Sequence, residues 1–193
     1  LDEQVNLSDP DRAEANRRML DDLIPDRVPI DILHAVLRLL LEEQVSIRNL
    51  PLILEAIAEA RLTTPRAEDI CEQVRQRLGF QLVSKLRRED GSIPLVQLAP
   101  EWEEVFATYQ LSGEGAGLDI ALPPETFNKL SGAVAERLSE ASEAGHFPAL
   151  VTSGRRRRFL RMIANARGIA NPVLSYEEIG LEARPALVGV VAA

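Results

Sequence analysis

Apolar residues along the chain recur mostly at helical spacing. A first helix is expected over about Pro10 to Leu23, with Ser8 as its cap and Asp11 three residues on, an acidic version of the capping box. Pro29 suits the first position of a second helix, where its missing N–H is an orphan anyway, and Leu33, Val36, Leu37 and Leu40 form that helix's stripe. Asp31, Arg38, Glu42 and Glu43 fall mostly on its other face. The residues Val45 to Leu50 then read as a tight corner, with Ser46 as cap and Val45 and Leu50 meeting across the turn as a hydrophobic staple. Ile47, Leu50, Leu54 and Ile57 carry the next helix to about Ala60, and Pro51 is tolerated only if that helix begins near Asn49. Thr64 and Pro65 form a cap and first-position pair for a helix through Ile70, Val74, Leu78 and Leu82 towards Arg88, with Gly79 as its weak point.

The pattern changes after Asp90, Gly91 and Ser92. Ile93 to Leu98 reads as a short edge strand, because Pro94 cannot donate to a central ladder. Pro100 opens a short helix holding Trp102, and the glycine-rich stretch 111–118 reads as a linker. Beyond it come a strand over Leu118 to Leu122, a helix from Pro124 closed by Gly145, and a strand over Ala149 to Thr152. A helix capped by Ser153 and ending near Gly168 follows, then strands at Pro172 to Leu174 and Leu187 to Val191. The strand-helix-strand unit predicts a parallel pair. The expected fold is mainly α with α/β: a helical subdomain over 1–110, the linker 111–118, and a small α/β subdomain over 119–193.

Composition narrows the function. The apolar fraction is 46% but the aromatic fraction only 4%, so aliphatic packing dominates, and no apolar run approaches the roughly 20 residues that cross a bilayer. The net charge of −8 arises wholly within residues 1–110, a balance that repels nucleic acid. The opening Leu1 and Asp2, in place of a methionine, suggest a fragment of something longer. With one cysteine, Cys71, no intrachain disulfide can form.

Candidate chemistry is sparse. His34 and His146 have no accompanying nucleophile motif, no metal-ligand spacing is present, and the glycines at 113, 115 and 117 do not make a phosphate cradle. The expectation is therefore no enzyme and no cofactor. Arg155 to Arg158 fan around a helix and present no flat basic face; they sit against the positive helix end, so acids must compensate nearby, the chain's own Glu177 and Glu178 ahead of a partner's carboxylates. Trp102, Phe106 and Tyr109 are expected to close a core, with an anchoring patch for a partner segment as the alternative. On these grounds alone a free-standing adaptor that binds partner helices in a groove is an alternative, and a hydrolase a distant third.

Three segments in order resemble the flagellar and injectisome type III export-gate family: Asp-Leu-Ile-Pro at Asp22 to Pro25, LLEEQVSIRNLPLILE at Leu40 to Glu55, and VLSYEEI at Val173 to Ile179. Arg-Phe-Leu-Arg at Arg158 to Arg161 adds to them, while Asn49 stands where the family usually has Asp. The resemblance spans about Leu20 to Val190. It implies a cytoplasmic C-terminal region, at the cytoplasmic face of the bacterial inner membrane and joined to the membrane only through an N-terminal part not in this sequence. It also implies a self-assembled ring, nonameric in the intact parent, that meets export-apparatus proteins, substrates and chaperones, flagellar rather than injectisome. Most of the family's chaperone cleft would lie upstream. Val45, Ser46, Arg48 and Asn49 at the corner, with Arg155, Arg158, Tyr176 and Glu177, are the residues this reading places at subunit or partner contacts. A monomer is expected in dilute solution.

Overall fold

The structure, a computed structural model, describes Glu14, Arg18, Ile24 and residues 27–111, 120–180 and 183–193. The first expected helix and the linker beyond Leu111 lie outside these residues, apart from Glu14 and Arg18, which are helical. The chain divides into two compact units, Leu1–Leu78 and Gly79–Ala193.

Among the described residues the first unit packs three named helices, α1 (Ile30–Glu42), α2 (Leu50–Ala60) and α3 (Ala67–Arg77). Val36, Leu40, Ile53, Ile57, Ile70 and Val74 form its fully buried centre. The end of α1 is set by backbone chemistry: Gln44 takes a left-handed φ of 56°, its N–H reaches the Leu41 carbonyl, and the Val45 N–H reaches the Leu40 carbonyl, both at 2.9 Å. This pair of bonds satisfies last-turn carbonyls that would otherwise be orphaned, and Val45 and Leu40 are both buried beside it. The next helix starts at Leu50 with Asn49 at its N-cap, so Pro51 sits in the first turn, where a missing N–H costs no helical bond. Ser46 does not cap: its hydroxyl oxygen accepts from the Arg48 N–H within the corner. Nor does Thr64 cap α3, because Arg66 is still extended and takes that position.

The second unit contains α4 (Gly79–Ser84), β1 (Ser92–Leu98), α5 (Glu101–Thr108), α6 (Pro124–Glu143), β2 (Ala149–Thr152), α7 (Gly154–Ala166), β3 (Val173–Ser175), α8 (Tyr176–Ile179) and β4 (Arg184–Val191). Its four strands are all parallel, in the order β3-β2-β1-β4. Alternation along the strands sends Val96, Leu150 and Val173 to a core shared with α5, α6 and α7. The intervening Leu95, Val151 and Leu174 face Val83 of α4, with Ile179 of α8 packed beside them. The parallel β2-α7-β3 unit is the one the sequence predicts.

Four further expectations are corrected. The segment 79–110 belongs with the sheet rather than with the helical unit, so the division falls at Leu78/Gly79 and not near residue 111. The strand β1 is interior, not an edge: pairing with β2 begins only at Leu95, so Pro94 is flanked on one side alone, by Ala186 of β4. Of the strand expected over Leu118 to Leu122, the described part makes a single antiparallel bridge from Ile120 to Gln110. The helix expected to run through to Arg88 breaks where α3 ends and Gly79 opens α4. A Cβ on Gly79 would lie 2.3 Å from the Glu178 carbonyl oxygen, so that approach of α4 to α8 requires glycine.

Candidate functional site

A parallel sheet with this strand order turns back between β1 and β4, and ligands of such folds bind outside the carboxyl ends of the strands at that point. Here the chain fills the place itself. Ala99 donates to the Val191 carbonyl at 2.9 Å, and the fully buried Trp102 indole donates to the Ala192 carbonyl at 3.1 Å. Trp102 stacks near Phe106, which meets Phe159 edge-on at 5.4 Å. Trp102 and Phe106 thus close the core, while Tyr109 is partly exposed.

The start of α7, which follows β2, lies at the same carboxyl end of the sheet. Ser153 occupies the N-cap without a side-chain bond; instead the Glu177 carboxylate accepts from the Gly154 N–H at 3.1 Å, placing negative charge at the positive helix end. The four arginines at its start, Arg155 to Arg158, divide sharply. Arg155 is exposed and Arg158 half-buried, whereas Arg156 and Arg157 are buried. Arg156 donates through Nε and Nη2 to Glu103 at 2.9 and 2.7 Å, and stands over the Phe106 ring. Arg157 donates to the Val173 carbonyl and faces Glu178. Glu178 also completes a capping box with Ser175, its carboxylate accepting from the Ser175 N–H while the Ser175 hydroxyl accepts from the Glu178 N–H. Compensation by Glu177 and Glu178 is as expected; the burial of two arginines and the role of Glu103 are not. Helical spacing holds that signal, since Arg156 lies three, four and seven residues before Phe159, Leu160 and Ile163.

Tyr176 is 53% exposed, and partial burial pushes its hydroxyl above the usual tyrosine value. Glu177 is exposed beside it. Tyr176, Glu177 and the start of α7 therefore share one region of the second unit, whereas the corner belongs to the first unit. There Val45 is buried, Ser46 and Asn49 are half-buried, and Arg48 is exposed and makes no ion pair with a described residue. Behind the corner, the buried Arg75 of α3 reaches Glu43 at the end of α1 at 3.3 Å. His34 is exposed and His146 half-buried, and no acidic, histidine or cysteine cluster among the described residues could hold a metal. No helix among them is long and apolar enough to cross a membrane.

The FHIPEP family profile matches residues 3–184. The flagellar biosynthesis protein FlhA of Caulobacter vibrioides is 38% identical over 178 residues, covering 92% of this chain and 25% of that protein. In the solved complex of the Chlamydia pneumoniae CdsV and CdsO proteins, the matched chain is 26% identical with a TM-score of 0.80, over 94% of this chain and 54% of that one. The nonameric EscV cytosolic domain from the type III secretion system shares the fold at 20% identity and a TM-score of 0.76, over 92% of this chain and 52% of that one. The chain spans about a quarter of the length of the curated relatives it matches.

Proposed function

This chain belongs to the FHIPEP family of type III secretion export-gate proteins, and from that premise we propose that it serves a flagellar gate as a ring-forming and docking region rather than as an enzyme. The helical unit supplies contacts between copies through the corner at Val45 to Asn49. The α/β unit offers Arg155, Arg158, Tyr176 and Glu177 to export-apparatus partners, substrates or chaperones. The flagellar assignment rests on the 38% identity to a flagellar biosynthesis protein. That a relative was solved with CdsO favours a docking role.

One observation carries the ring contact: Arg48 stands exposed, without a described ion-pair partner, on a corner held rigid by the bonded end of α1 and the Arg75–Glu43 pair. A rigid backbone with an unused cation costs little conformational entropy to dock. Amine cross-linking across a rising protein concentration tests it. The reading expects a ladder of discrete higher masses that Arg48→Glu suppresses; a ladder unchanged by that substitution contradicts it.

A further inference from the structure

The strand β4 is the longest of the sheet, lies at its edge, and is paired on one side only among the described residues. Such a strand presents a row of N–H and C=O groups that only another extended backbone can satisfy in regular order. Its two faces differ. Pro185, Leu187 and Val190 align with Ile93, Leu95 and Gln97, on the side of the sheet that α4 and α8 cover. That cover does not extend over β4, and Leu187 is 54% and Val190 36% exposed.

On the other face Val191 is buried and Gly189 lies against Arg137 of α6, where a Cβ would come within 2.6 Å of the arginine Cδ. The Arg137 Nε is buried and has no hydrogen-bond partner, while its Nη1 is 2.6 Å from Glu140. Arg184 adds an exposed cation where β4 begins. The edge thus offers apolar contacts on one face and, on the other, the exposed Arg184 and the half-exposed guanidinium of Arg137, which Glu140 only partly neutralises.

We propose that the β4 edge binds an extended peptide segment as a fifth strand, one whose alternate residues are acidic on the α6 side and apolar on the opposite side. The added strand runs about 4.8 Å outside β4. Its apolar side chains continue the Pro185, Leu187 and Val190 strip, and its carboxylates meet Arg137. This goes beyond ring formation and does not depend on it.

The probe is a labelled ten-residue peptide alternating glutamate and valine, titrated into the full chain by fluorescence anisotropy. Saturable binding is expected, with slowed amide exchange along Leu187 to Val190. Arg137→Ala should weaken binding about tenfold, with Trp102 emission unchanged as the control for folding. Backbone N-methylation of the peptide at alternate positions should abolish it. The proposal is overturned if the peptide does not bind at millimolar concentration, or if a lysine-valine peptide or the N-methylated peptide binds equally well. A dimer of the chain alone that Leu187→Ser dissociates also overturns it, by giving the edge to a second copy.

Discussion

Arg157 Nε stands 3.9 Å from Glu178 Oε1 with both side chains 1% exposed, a buried ion pair that joins α7 to the short helix after β3. Removing one partner of such a pair leaves an uncompensated buried charge, at a cost of about 3–5 kcal/mol. Glu178→Gln keeps a carbonyl acceptor for the Ser175 N–H and replaces the carboxylate oxygen that faces Arg157 with a neutral NH2 donor. Urea unfolding should show a loss of about 3 kcal/mol for it, with part recovered in the double variant Arg157→Met/Glu178→Gln. A change under 1 kcal/mol in the single variant would contradict a stabilising role for the pair.

Gly79 supplies a second test of the same corner. Its would-be Cβ meets a backbone oxygen, which cannot rotate away, so Gly79→Ala must displace α4 from α8. A loss of about 1–3 kcal/mol is expected by analogy with overpacked cores. An unchanged melting temperature would refute the close approach.

Gln44 holds a left-handed conformation that costs a non-glycine residue about 1–2 kcal/mol. The same pattern of bonds ends α6 and α7, where Gly145 and Gly168 take the position. Gln44→Gly should therefore raise stability, by about 0.5–1 kcal/mol once the added freedom of the unfolded chain is subtracted. Destabilisation in a thermal melt would contradict this.

The hydroxyl and the backbone N–H of Ser92, the N–H donating to the carboxylate at 2.8 Å, hold the Asp90 carboxyl below its usual value. A depressed folded-state value means the contribution is full above the unfolded value of about 4 and is lost as pH falls through the folded one. Asp90→Asn should flatten the acid limb of the stability profile below about pH 4 and leave its slope at neutral pH unchanged. An acid limb identical to that of the wild type would sink the assignment.

Much of the fold was legible because burial follows period. The stripes of α1, α2 and α6, the parallel β2-α7-β3 unit and the aromatic closure by Trp102 and Phe106 all follow from spacing. What escaped depends on long-range pairing. Pro94 argues for an edge only if a strand lies on both sides of it, and where β2 begins cannot be read from residues near position 94. The boundary escaped for the same reason, since membership of 79–110 in the sheet is decided by β2 and β4. At the candidate site the compensating acids after β3 were readable from the charge at the start of α7, but Glu103, 53 residues before Arg156, was not.

The central claim is that copies meet through the corner at Arg48, and weak repeated contacts need a high local concentration to show. Energy transfer between donor- and acceptor-labelled chains, tethered through a terminal tag at high density on chelating vesicles, measures this directly. Efficiency above that of random neighbours at equal density is expected for the wild type, and Arg48→Glu should return it to the random value without lowering the melting temperature. Equal transfer in both proteins, or none above random in either, would contradict the account.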